Sequence, residues 1–558
     1  MNPSRGVFLV VTVTALCLAG CGSRETESRP PADGFYRLPL TDNPVTLDPA
    51  LFTDVNSEGV ARRIFNNLVK LDSKLQPVPD LAERWKVSDD GLTYTFALRK
   101  GVRFHNGREM VADDVRFSFE RLLRSETASQ RAWVVEPIAG ARELRDGKAQ
   151  SLAGLETPDA CTVVLRLKEA FSPALMLNLL AMGNAAIVPR EAVADRGGEK
   201  FGRRPVGTGP FRFVSWRDHD AIVLARNDQY FGGPAKLAGL RFRVIKESLV
   251  AWQEYLAGGL EHCAVPEGFL KEAQSGPLKG ELRSTDTLST QYLGIAMSHR
   301  PWGSNVHLRR ALNYAVDRKF LCEKILGGES APAKGVLPPE TPGPFDVAQG
   351  RPEGTRMGGA EPALPGYSYD LDRAKSELRE AGYGPGLEPI ARLPEMTLYF
   401  NSRPPGAQVA QAVQSDFQRI GVRVRLRALD LAALLEATDH QEPDLFRLIW
   451  AADFPDAESF LRIFHSGLAG SAGNRARYSN PQVDDLLDRS RRELQPEKRA
   501  ALLREAEKII VADAPWVFLS HGRTNLLVKP YVRGLELTPM DVGTSVNQVD
   551  FHAVSFQP

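Results

Sequence analysis

Five cysteines in 558 residues are too few for a disulfide scaffold, so the fold must rest on burial. No two of them form a CxxC pair, which leaves neither a redox motif nor a zinc ribbon. Charge of one sign is also missing. Seventy Lys and Arg stand against sixty-nine Asp and Glu, which excludes a basic nucleic-acid binder and an acidic buffer protein. Beyond residue 19 no apolar run approaches the roughly 20 residues a spanning helix needs. Catalytic signatures are lacking too: there is no Walker loop and no HExxH. Gly470-Ser471-Ala472-Gly473 has the wrong spacing for a nucleophile elbow. Gly207-Thr208-Gly209 lacks the third glycine of a dinucleotide fingerprint. The nine histidines are scattered with no i,i+4 pair, and the neighbours His262 and Cys263 do not converge on a metal. No catalytic residue, metal site or cofactor is therefore expected.

What is present begins at the N-terminus. Arg5 precedes an uncharged apolar run, Val7 to Ala19, of the size of a secretory signal core. It ends Leu18-Ala19-Gly20-Cys21, which resembles the bacterial lipoprotein signal. The resemblance implies a signal peptide over 1–20 and acylation of Cys21, a membrane anchor worth about 0.8 kcal/mol per buried methylene. The polar stretch 21–32 reads as a tether. Cys17 leaves with the signal. Cys161, Cys263 and Cys322 allow one disulfide and one free thiol, and their spacing does not choose.

Strand and helix patterns then alternate, which predicts an α/β architecture of roughly three to four domains' length. Leu92, Tyr94, Phe96 and Leu98 alternate with smaller residues as a half-buried strand. Asp113-Asp114 opens a helix through Val115, Phe119 and Leu122. Ser172-Pro173 predicts a helix start for Ala174 to Met182. Further helices are expected over Asn305–Leu326, Asp370–Ala381 and Glu497–Ala512. Val422, Val424 and Leu426 alternate with arginines as a strand with one wet face. Leu445–Ala451 reads as a buried strand, and Gly335–Gly366 as a long loop.

Several blocks in order resemble one family, the extracytoplasmic solute-binding proteins of peptide-type ABC transporters. They are Thr46-Leu47-Asp48-Pro49, Leu81 to Trp85, Asp90 to Phe96, Lys100 to Gly107, Pro205-Val206-Gly207-Thr208-Gly209-Pro210-Phe211, Arg226 to Tyr230, Leu308 to Leu312 with Ala315 to Arg318, and Tyr369 to Tyr383. One departure is Phe65-Asn66-Asn67-Leu68, where the family often has an aromatic-Glu-Gly-Leu turn. Asparagine tolerates left-handed backbone, so the turn is expected to survive.

The resemblance implies a two-lobed periplasmic-binding-protein-like fold with hinge strands and an extra subdomain in the first lobe. The first lobe would comprise 33–62, 205–288 and 525–558, the subdomain 63–204 and the second lobe 289–524. It implies a lipid-anchored, monomeric receptor in the periplasm or cell envelope. The receptor captures oligopeptides or dipeptides and passes them to ABC permease and ATPase subunits. A metal chelate, haem or an oligosaccharide is the alternative solute. An exported hydrolase and a sensory receptor are the readings of other classes.

A free peptide is a zwitterion, so an enclosing site must offer an anion, a cation and backbone partners. By resemblance Asp453 meets the α-ammonium, Arg447 meets the carboxylate of a short peptide and Trp450 walls the cleft. Arg447 and Asp453, six residues apart, nominally share a face. Without the resemblance, Asp453 before Phe454-Pro455-Asp456 reads as a turn residue, Arg447 as the partner of an internal acid and Trp450 as core.

Overall fold

The computed structural model describes residues 29–343, 345–346, 351–352, 366–383, 393–471, 473–543 and 546–557. The expected signal 1–20, Cys17, Cys21, most of the tether and much of the Gly335–Gly366 loop lie outside these residues. Helices and strands alternate as the pattern predicts. Phe35–Leu40 runs parallel to Gly239–Val244, and Ala221–Arg226 and Phe211–Arg217 complete an otherwise antiparallel four-stranded sheet. A second four-stranded sheet orders Ala82–Val87, Thr93–Leu98, Thr162–Arg166 and Leu155–Asp159. In Thr93–Leu98 the period of two holds, because Tyr94, Phe96 and Leu98 point into the core and Thr95 faces water. One apolar core joins the two sheets, with Tyr36 and Phe242 from the first and Tyr94 and Phe96 from the second.

The largest sheet is built on two long antiparallel strands, Leu282–Ile295 and Trp516–Val528. One end of this ribbon carries His262–Ala264, and the other carries Leu445–Ala451, Met396–Asn401 and Val424–Leu429. Its faces bury separate cores, one around Phe446, Trp516 and Phe518, the other around Leu293, Leu445 and Val517. Gly294 is required by close approach: a Cβ there would lie 2.2 Å from the Phe446 ring. The two-lobed α/β fold is therefore what the sequence pattern and its resemblance predict.

Most predicted elements form. The helix Ala112–Leu123 starts where the acidic pair stands, and the Asp114 carboxylate accepts the Val111 N–H at 2.9 Å. Pro173 is the first helical residue of Pro173–Leu180; this helix stops two residues short of Met182, and Ser172 makes no side-chain cap bond. Asp370 caps Leu371–Glu380 through the Arg373 N–H, and Pro496–Asp513 ends at Ala514 with φ 51°. The helix expected over Asn305–Leu326 is broken. It runs Val306–Ala315, turns extended at Val316 and restarts at Arg318. The buried Arg318 guanidinium needs acceptors, and the break exposes the carbonyls of Asn313 and Val316 to it, at 2.8 and 3.4 Å. Asp317 caps the second piece through the Phe320 N–H. Cys161, Cys263 and Cys322 are unbonded thiols, and burial pushes Cys263 up to about 12.

Candidate functional site

Leu445–Ala451 positions the residues singled out by sequence. On one side it pairs antiparallel with Leu282–Ile295, with Leu293 opposite Arg447 and Thr290 opposite Trp450. On the other side Met396–Asn401 pairs with it only at Leu445 and Phe446. From Arg447 to Ala451 that backbone edge meets no strand among the described residues. The strand is thus buried only in its first half; Ile449 is 54% exposed, a correction to the fully buried strand expected. An open edge of N–H and C=O groups is a template for an extended chain.

The three predicted residues stand on this strand and the loop after it, with no hydrogen bond or ion pair between any two of them among the described residues. Arg447 is 5% exposed; its Nη2 donates to Gln291 Oε1 at 2.6 Å and its Nε is buried without a hydrogen-bond partner. Burial pushes this guanidinium down to about 10, and the nearby Glu267 carboxylate offsets part of that. Trp450 packs on the Phe446 side, and its indole N–H donates to the Ser459 carbonyl at 2.7 Å. Asp453 lies two residues past the strand, and its N–H donates to Ser459 Oγ at 2.9 Å. Ser459 therefore fixes both Trp450 and Asp453.

Asp453 already has a cationic neighbour. Arg131 Nη1 lies 3.2 Å from Asp453 Oδ1, the two side chains 21% and 30% exposed. Burial raises the Asp453 carboxyl, the Arg131 charge lowers it and Glu58 raises it further. Trp133 and Phe454 approach beside the pair, ring centroids 6.3 Å apart. Sequence reasoning missed Arg131, which stands 322 positions away in a segment with no motif. At the Arg447 end, burial pushes Glu329 up to about 7, its neighbour Glu267 adding to the rise while the Gly268 N–H opposes it.

A cavity of about 430 Å³ opens between Trp85, Ser172 and Asn178 on one wall and Pro455, Ala457 and Arg499 on the other. Asp453, Arg447 and Trp450 do not line it. Three of its lining residues each hold a buried polar atom without a hydrogen-bond partner: Gln76 Oε1, Asn178 Oδ1 and Arg499 Nε. Among the described residues no group of three or more His, Cys, Asp or Glu converges as metal ligands.

Residues of other sequence blocks serve ion pairing, close packing and hydrogen bonding. Asp48 is fully buried against Arg121, with Nη1 2.7 Å from Oδ1. Gly207 and Gly209 admit no Cβ because the carbonyls of Ile64 and Arg63 would lie at 2.1 and 2.6 Å. Asn66 and Asn67 do not adopt the left-handed backbone considered for them. They act through their amides instead. Asn66 donates to Asp80 at 2.9 Å and accepts from Thr208 at 3.0 Å, and Asn67 donates to the carbonyls of Leu180 and Met182. The departure from the family turn thus ties that turn to the Pro205–Phe211 loop.

A family profile described as bacterial extracellular solute-binding proteins, family 5 (middle), matches residues 76–472. Oligopeptide-binding protein OppA of Bacillus subtilis is 28% identical over 530 residues, covering 92% of this chain and 93% of that one. Heme-binding protein A of Haemophilus influenzae is 28% identical over 559 residues, covering 95% and 96%. The solved structure of Burkholderia pseudomallei OppA superposes with a TM-score of 0.75 at 25% identity, covering 94% of this chain and 99% of that one. Among the described residues no helix is long and apolar enough to cross a membrane. With most of its length matched to the profile and its two lobes matched to solved relatives, the chain belongs to the family 5 bacterial extracellular solute-binding proteins of peptide-type ABC transporters.

Proposed function

We propose that this chain is the lipid-anchored substrate-binding protein of an ABC importer, a carrier rather than an enzyme. It captures oligopeptides or dipeptides outside the cytoplasmic membrane and delivers them to a permease. The observation that carries this reading is the open backbone edge from Arg447 to Ala451, with a carboxylate beyond one end and a guanidinium at the other. A peptide laid along that edge completes the ladder by strand addition. Its ammonium then approaches Asp453, its carboxylate approaches Arg447, and Trp450 closes one side. The name of the Bacillus subtilis relative supports a peptide guest.

In this reading Cys21 carries the acyl anchor, 21–32 is the tether and the protein works as a monomer. The first lobe comprises 33–62, 205–288 and 525–558, its subdomain 63–204 and the second lobe 289–524. The change of lobe at 288/289 coincides with a break in the ladder of the long ribbon, between Asp286 and Thr290. Closing the lobes over the guest shifts the open–closed equilibrium by the guest's preference for the closed form.

The test is mass spectrometry of small molecules released when the purified protein is denatured, repeated with Asp453→Ala. Peptides are expected from the wild type, with at least about tenfold less from the variant, because Arg131 is left as an uncompensated charge where the peptide's amino end binds. The relative named for haem supports a second reading, in which the same cleft takes haem. Release of a porphyrin, with no melting-temperature rise on adding peptides, replaces the peptide reading with that one, and release of a metal chelate or an oligosaccharide replaces both.

A further inference from the structure

An enclosed carboxylate that relies on its guest for a counter-ion rejects any guest lacking one, since the empty-handed complex would hold a buried, unpaired charge. Asp453 is not in that position. Its Oδ1 lies 3.2 Å from Arg131 Nη1. Arg131 is itself held in place. Its backbone N–H donates to Ser129 Oγ at 3.1 Å, its Nη2 reaches the Thr53 carbonyl at 3.4 Å and its guanidinium stands 5.9 Å from the Trp133 ring. The second carboxylate oxygen has no hydrogen bond to a described residue. A guest's amino end thus meets a carboxylate whose charge is shared with an arginine. An ammonium gains less there than at a bare carboxylate, and a blocked amine loses less.

We infer that Arg131 is a specificity-determining residue that opens the site to peptides whose amino end is acylated or otherwise uncharged. The inference rests on the peptide reading above and adds a substrate class to it. The pairing joins segments 322 residues apart and brings the 63–204 segment onto the loop after the site strand. No other cation makes an ion pair with Asp453 among the described residues. Arg131 therefore supplies the cation of this balance.

The experiment offers the purified, delipidated protein an equimolar mixture of a randomised tripeptide library and the same library N-acetylated with a heavy isotope. Retained peptides are quantified by mass spectrometry. The wild type is expected to retain the two forms within about threefold of each other. Arg131→Gln, which removes the charge, is expected to favour the free form by at least about tenfold. Arg131→Lys keeps the charge and is expected to behave as the wild type, which separates charge from folding. A wild type that already favours free peptides tenfold overturns the proposal, as does an unchanged ratio in Arg131→Gln. Retention of neither library by the wild type overturns the peptide reading and the role of Arg131 with it. Retention of both with the wrong ratio overturns the role of Arg131 alone.

Discussion

A carboxyl group taken out of water keeps its proton to higher pH than one left in it. Glu507 is 2% exposed, and burial pushes it up to about 7 although the N–H groups of Leu337 and Val336 pull the other way. From its ordinary 4.5 to about 7 the unfolded chain releases a proton that the folded chain retains, so folding stability falls as pH rises through that window. Below 4.5 the penalty is gone. Glu507→Gln is therefore expected to stabilise the protein above pH 7 by up to about 3 kcal/mol, with no gain below pH 4.5. Denaturation midpoints at pH 8 and pH 4.5 check this, and an equal gain at both would assign the effect to something other than charge. Asp48 is just as buried, and two guanidinium nitrogens of Arg121 meet its carboxylate. In the candidate site, Asp453 and Arg447 were singled out because their segment resembles a family block. Arg131 was not, since nothing local in Ser129-Gln130-Arg131 announces a partner that only tertiary packing supplies.

At the scale of elements, period and punctuation carried most of the reading. The alternation in Thr93–Leu98 and the capping residues Asn305 and Asp370 are local physics, and the structure follows them. The failures come where a side chain at one end of the chain needs a backbone group at the other. The stripe Leu308, Ala311, Leu312, Ala315 and Val316 predicts one helix, and the helix stops at Ala315 because Arg318 is buried and requires acceptors. Arg318 also donates to the Phe518 carbonyl at 2.7 Å, a residue 200 positions away that no periodicity reveals. The restart then depends on Asp317, whose carboxylate accepts the Phe320 N–H at 2.9 Å while its own N–H donates to Asp416 at 3.0 Å. Asp317→Ala removes the side-chain half of this arrangement and is expected to cost about 0.5–2 kcal/mol. Urea titration measures it, and a midpoint shifted by less than the error of replicates would show that the second piece needs no cap. The half-open strand Leu445–Ala451 was misjudged for a related reason. Its run of apolar residues is identical whether a neighbour covers one edge or leaves it bare.

For the whole molecule, closing two lobes on a guest requires the segments between them to bend where their pairing is weakest. Leu282–Ile295 and Trp516–Val528 are paired from Leu282 to Asp286 and again from Thr290 to Gly294. Between them Thr287, Leu288 and Ser289 face Gly522, more residues on one strand than on the other, as in a bulge. A Cβ at Gly522 would stand 2.2 Å from Ser289 Oγ and 2.6 Å from Thr287 Oγ1, two hydroxyls that hydrogen-bond to each other at 2.8 Å. The bulge is also tied to the site. The Leu288 N–H donates to the Pro539 carbonyl at 2.7 Å, and the Leu288 carbonyl accepts the Ala452 N–H at 2.9 Å, one residue before Asp453. A bend at Gly522 would therefore reach the loop that carries Asp453 through backbone hydrogen bonds alone. Gly522→Val fills this space and disturbs the bulge while leaving every charged group of the site in place. If the closed form becomes tenfold less accessible, apparent affinity falls in the same proportion, because binding is scaled by the competent fraction. The expected result is a peptide Kd raised by about tenfold, together with a smaller ligand-induced contraction in small-angle scattering. Wild-type affinity and contraction in the variant would place the bend elsewhere along the ribbon.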